Sequence, residues 1–247
     1  MYLKFFLILS ISFVSLQAID YCDEKLCKRG PHIACHARDT FKSHCPHGIE
    51  LVSMDSHMQD VFLQHHNSIR ELVAAGKHHR GFRKAARMCS MVWDSTLAYF
   101  ARLNAYKCDG EHDKCRNHPN FPSVGQNIYE GYDSSPLTAE AVIEKAINKW
   151  YMEGETASNH HLSHLSNGGS VGHFTQLVND RACQIGCAAT LWTEHKRHHF
   201  YVVCNYSFGN LVDSFAYKTK GDKCQKGYNP NHPHLCHPDE AKIIQYE

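Results

Sequence analysis

Histidine and cysteine dominate the residues able to do chemistry in this chain, with 21 of the first and 12 of the second among 247 positions. His160, His161 and His164 would suit a metal if their stretch were helical, because the first and last would then lie one turn apart. Gly168-Gly169 and Asn167 argue against a helix there and predict an irregular loop over 159–172. Glu111-His112-Asp113 also has the residue types of a ligand set. It lies in the turn-rich stretch 108–122 between Cys108 and Cys115, where most such triplets are solvated and the cysteines already give the stretch a structural purpose. No Gly-x-Ser-x-Gly pattern marks an activated serine.

The elements that would position such residues follow from periodicity. Ser56-His-Met-Gln59 has the pattern of a capping box, and Met58, Phe62, His65, Ile69, Leu72 and Val73 recur at helical spacing up to Gly76, a natural stop. This helix carries His66, whose plain reading is packing. A second helix lies within 88–104, with Asp94 or Ser95 as N-cap and Leu97, Phe100, Ala101 and Asn104 on one face. Ser134-Ser135-Pro136 opens a third, with proline suited to the first turn, and Gly154 ends it. Ala188–Thr193 and Phe200–Tyr206, rich in β-branched and aromatic residues, flank the polar stretch 194–199 and read as an antiparallel hairpin. In a symmetric register Cys187 and Cys204 face each other, which predicts a cross-strand disulfide.

Length allows one or at most two domains. A formal charge of +1 without a sustained basic run makes nucleic acid an unexpected partner. A basic start, the apolar stretch 5–16 and a small residue at Ala18 read as a signal peptide over 1–18. About a dozen apolar residues fall short of the roughly 20 needed to span a bilayer, and no later segment qualifies. The mature chain is therefore expected outside the cell, with all its cysteines paired. Residues 19–48 are a cysteine-rich extension too poor in periodic apolar residues to build a core. In the tail, 216–247, Cys224 and Cys236 are partners by proximity and close a small loop. Asn205-Tyr206-Ser207 is a glycosylation sequon at the end of a predicted core strand, where modification is not expected.

Gly172-His-Phe-Thr-Gln-Leu-Val178 and Phe200-Tyr-Val-Val-Cys-Asn-Tyr206, followed by Gly209-Asn210, resemble the two signature motifs of the superfamily of cysteine-rich secretory proteins, antigen-5 venom allergens and plant pathogenesis-related proteins. His66-Asn67-Ser-Ile-Arg70, Gly125-Gln126-Asn127 and Trp150-Tyr-Met-Glu153 resemble further motifs of that superfamily, with Gln126 in place of the usual glutamate as in the antigen-5 branch. The resemblance implies a domain over 49–215 that is α+β, a three-layer α-β-α sandwich with a short, mostly antiparallel sheet. It implies the disulfides Cys22–Cys35, Cys27–Cys115, Cys45–Cys108 and Cys187–Cys204, leaving Cys89 and Cys183 by elimination.

The resemblance also implies a central cleft formed by His66, Gln126, Glu153 and His173. There His66 and His173, with Glu153 nearby, are candidates for weak binding of zinc or another divalent ion, although no cofactor is required. A neutral glutamine cannot act as a base, so no catalytic residue is assigned and hydrolysis is a minor alternative. Relatives bind lipids, eicosanoids or host receptors in saliva and venom, or act in reproductive fluid and defence. The function expected is thus a secreted, monomeric binding protein for a small apolar ligand, such as a lipid or sterol, or for a protein partner, the second alternative being a purely structural extracellular protein.

Overall fold

The computed structural model describes residues 19–28, 30–78, 81–166 and 169–244, so the expected signal peptide lies outside the described residues. In chain order the elements are β1 (Glu50–Leu51), α1 (Ser56–Ala75), β2 (Val92–Trp93), α2 (Ser95–Ala105), β3 (Gly125–Asp133), α3 (Ala139–Met152), α4 (Asn159–Ser163), α5 (Gly172–Leu177), β4 (Gln184–Glu194), β5 (Arg197–Tyr206), β6 (Tyr228–Asn229) and β7 (His232–Cys236).

The hairpin β4–β5 is the middle of the sheet. Its strands run further than the polar residues suggest, pairing through Glu194 with Arg197, so that only His195 and Lys196 form the turn. Both have positive φ, 49° and 62°, which a two-residue turn of type I′ requires because its twist matches that of the strands. The register sets Cys187 opposite Cys204, and the two are bonded. β3 pairs antiparallel with β5, β1 antiparallel with β4, and β2 parallel with β4.

Alternation along these strands makes two buried faces. Cys187, Ala189, Phe200, Val202 and Cys204 face the core shared with α1, α3 and α5, while Ala188, Tyr201 and Val203 meet Ala101 and Ala105 of α2. The result is the expected three-layer sandwich. The layer of α2 approaches so closely that a Cβ on Gly186 would lie 2.0 Å from the Ala98 nitrogen.

Helix boundaries depart from expectation where a better cap lay nearby. Asp55, not Ser56, caps α1 through Met58 N, and Gly76 closes it at φ 71°. His65 and exposed Leu72 do not belong to the buried stripe; His66, Asn67 and Arg70 do. Thr138 caps α3, so Pro136 precedes the helix. The irregular loop expected over 159–172 instead begins with α4, capped by a reciprocal pair in which Ser158 accepts from His161 N and His161 Nδ1 accepts from Ser158 N.

All six disulfides join the expected partners. Cys22–Cys35 closes within the extension, Cys27–Cys115 and Cys45–Cys108 fasten it to the stretch after α2, and His32 and Tyr21 pack on Phe100 of α2. The tail forms more than a disulfide loop: β6 and β7 make a hairpin against α1, Leu235 enters the main core, and buried Glu240 accepts from Arg87 and from the backbone of Gln225 and Lys226. Among the described residues no helix is long and apolar enough to cross a membrane.

Candidate functional site

Glu153 follows α3, where a carboxylate gains nothing from that helix's dipole. It serves α5 instead. Its Oε2 accepts from His173 N at 2.9 Å and Phe174 N at 3.1 Å, the unsatisfied donors that open α5. Its Oε1 accepts from His173 Nδ1 at 2.6 Å, and the imidazole lies parallel to the Trp150 ring. One glutamate thus seats both the helix and its histidine.

Asn210 holds the other side of α5, accepting nothing from it but donating to Gly172 O and Thr175 Oγ1 while its own N–H reaches Gln176 Oε1. Gln176 Nε2 continues to Phe208 O. The two signature motifs therefore bind each other across the cleft wall. A Cβ on Gly125 would lie 2.3 Å from Gln176 Oε1, so a side chain there would have to push the Gln176 amide off Phe208 O and Asn210 N.

Gln126 on β3 lies beside them with its amide fully engaged. Nε2 donates to Asp113 Oδ2 at 2.8 Å and Asn205 Oδ1 at 3.0 Å, and Oε1 accepts from His112 Nδ1 at 2.7 Å. An open cleft of about 660 Å³ has His112, Gln126, Glu153 and His173 on its walls. Desolvation lowers the pKa of His112, the hydrogen bond to Gln126 opposes that shift, and the charge of Arg116 adds to it.

His66 is not in the cleft. It is fully buried, its Nδ1 donating to Phe62 O at 2.8 Å and its Nε2 accepting from the Tyr206 hydroxyl at 3.0 Å. With both nitrogens committed and desolvation holding its pKa at about 3, it stays neutral and has no lone pair to offer a metal. The rest of its motif is likewise structural. Asn67 exchanges two hydrogen bonds with the backbone of Met91, and buried Arg70 donates to the carbonyls of Cys89, Leu177, Asn179 and Ala182.

The cleft's second imidazole is His112, from the triplet expected to be solvated. The overlooked signal was covalent: a polar triplet held between Cys108 and Cys115, both bridged to the extension, is positioned and not free. His66 still reaches the cleft indirectly, since Asn127 Nδ2 donates to the Tyr206 hydroxyl and to His173 O. Among the described residues the only three side chains of metal-ligating type drawn together are Cys22, Cys35 and His36, whose sulfurs are tied in a disulfide; neither His160, His161 and His164 nor His112, Glu153 and His173 form such a group of three. Asn205 is buried with Nδ2 on Leu97 O, which shields the sequon in the folded state.

A family model described as Cysteine-rich secretory protein family, or CAP, matches residues 63–206, which contain His112, Gln126, Glu153 and His173. The chain is 40% identical over 232 residues to Venom allergen-1 of Aedes aegypti, covering 90% of this chain and 88% of that protein. It is 37% identical over 191 residues to Antigen 5 like allergen Cul n 1 of Culicoides nubeculosus, covering 72% and 85%. The zinc-bound structure of NaASP2 aligns with a TM-score of 0.60 at 29% identity, over 78% of this chain and 100% of that one. Six disulfides and these relatives point to an extracellular protein. The chain belongs to the cysteine-rich secretory protein family, and its close homologues are insect venom allergens of the antigen 5 type.

Proposed function

We propose that the protein is a secreted binding protein whose central cleft takes a divalent cation, with zinc as the reference ion, between His112 and His173. The observation that carries this reading is the shared posture of the two rings. Each gives Nδ1 to a side-chain oxygen, Gln126 for one and Glu153 for the other, and each leaves Nε2 without a hydrogen bond among the described residues. That is how protein imidazoles are held when they ligate metals, the outer hydrogen bond fixing tautomer and aim. Two imidazoles with water suit zinc, and a bound ion would supply a positive centre to which a partner's donor groups could attach. NaASP2, with a related sequence, has been seen with zinc.

The cleft walls expose polar and apolar groups in similar measure, and we assign the small apolar ligand to a separate groove. That groove, of about 420 Å³, is lined by Pro136, Leu137, Leu191, Trp192 and Phe200 together with His47, Glu50, His198 and His199, a mixed lining that suits a lipid with an apolar tail and a polar head. We read the cleft as binding and not hydrolytic: among the described residues its serine hydroxyls make no hydrogen bond to either imidazole, and Gln126 is neutral.

Native mass spectrometry of the purified protein, scanned for zinc and lipid together, tests the reading. Zinc retained by the wild type and lost from His112→Ala and His173→Ala is the expected result, with any lipid unaffected by either change. Retention of zinc by both variants would refute the site, and peptide hydrolysis appearing in Gln126→Glu would restore the enzyme reading.

A further inference from the structure

Gln126 stands where the family's usual residue is an acid, which invites the view that the cleft has simply lost a charge. The surroundings of the amide say otherwise. Asp113, whose side chain is 1% exposed, offers only acceptors when ionised, and donors surround it. Asn104 Nδ2 at 2.8 Å and Lys107 Nζ at 3.3 Å meet Oδ1, while Gln126 Nε2 at 2.8 Å and Arg116 Nε at 3.3 Å meet Oδ2. Asn205 is oriented independently, because its Nδ2 donates to Leu97 O and so leaves Oδ1 toward Gln126. Two acceptors therefore face one end of the Gln126 side chain. Only an NH2 group can satisfy them, and the oxygen must then point at His112.

We propose that Asp113 is a positioning residue for the cleft: it turns the Gln126 amide so that Oε1 accepts from His112 Nδ1, which holds His112 in the Nδ1–H tautomer and leaves Nε2 for the ligand. The negative charge paired with this imidazole is then not lost but set back behind an amide, whereas His173 has its carboxylate in direct contact. Glutamine is the fitting residue at 126 because of Asp113. A glutamate there would put acceptor against acceptor at both Asp113 and Asn205, so restoring the acid alone would disturb the site. The inference rests on the cation-binding reading for its purpose, and on the hydrogen bonds alone for its geometry.

The test compares wild type, Gln126→Glu and the double variant Asp113→Asn/Gln126→Glu, in which an asparagine NH2 can face the new carboxylate. This relieves the contact at Asp113 while the one at Asn205 remains, so that recovery in the double variant is partial. Nitrogen-15 spectra of the His112 ring in zinc-free protein report the tautomer, and calorimetric titration with zinc reports affinity. The wild type and double variant are expected to show Nδ1 protonated. Gln126→Glu alone should lose that signature and bind zinc about tenfold or more weakly, within the range for displaced outer partners of a ligand, and the second substitution should recover affinity. Should Gln126→Glu not fold, recovery of folded protein in the double variant reports the same pairing. Tighter zinc binding by Gln126→Glu with the tautomer unchanged, or a double variant no better than the single one, would overturn the proposal. A wild type with the expected tautomer and no zinc affinity would refute the cation reading and leave the positioning intact.

Discussion

The buried face of α1 and the open cleft each centre on histidine, and they use it in opposite ways. His66 is enclosed, bonded at both nitrogens and kept neutral. His112 and His173 are each bonded at Nδ1 only, beside open space. What separates a structural imidazole from a candidate ligand here is the fate of the second nitrogen. The two regions also differ in what a substitution leaves behind, since around α1 a deletion strands buried polar groups, whereas at the cleft water can replace what is lost.

That contrast breaks most visibly at Arg70. Its guanidinium serves backbone carbonyls of four residues, and Arg70→Met should destabilise the protein by at least ~3 kcal/mol, because several buried acceptors lose a charged donor. Chemical denaturation measures this, and a loss below ~1 kcal/mol would show that the motif is not the clamp described.

His66→Gln should cost about 2 kcal/mol by the same method, through the Phe62 carbonyl and the Tyr206 hydroxyl, and leave zinc binding within a few-fold of wild type. Acid sharpens the test. The folded-state pKa of His66 is lowered to about 3, against ~6.5 in an unfolded chain. Between those values the unfolded state binds a proton that the folded state refuses. The contribution is therefore complete above ~6.5 and declines as pH falls, by up to about 1.4 kcal/mol per pH unit. The stability profile of His66→Gln should be flatter across that window; parallel profiles would contradict a buried neutral imidazole.

The cleft should behave in reverse. His112→Ala and His173→Ala are each expected to shift stability by within about 1 kcal/mol while weakening zinc binding by roughly 10- to 100-fold or more. Large destabilisation in either, with zinc affinity spared, would erase the distinction between the two regions.

Much of this could be read from local pattern. The hairpin declared itself through β-branched runs about a polar centre, and its symmetric register placed Cys187 on Cys204. Residues 56–76 declared α1 by spacing and a terminal glycine, although Asp55, not Ser56, caps it. Glu153 and His173 came from motif resemblance and do meet. His66 came from the same source and does not join them, because a motif shows that a residue matters without showing whether it matters to packing or to a ligand.

Sequence alone thus determined the main helices, the central hairpin and the Cys187–Cys204 bridge across it, since strand alternation and helical spacing are properties of neighbours in the chain. The sandwich layers and the long-range cysteine pairs were implied only by the family resemblance. Tertiary structure decided which histidine enters the cleft. That choice depends on bridges spanning 63 and 88 residues that bring 108–115 against the extension, and on hydrogen bonds joining Asp113, Gln126 and Asn205 from separate segments. Neither is expressed in any local period, because groups far apart in the chain acquire their orientation only when the core has brought them within hydrogen-bond reach.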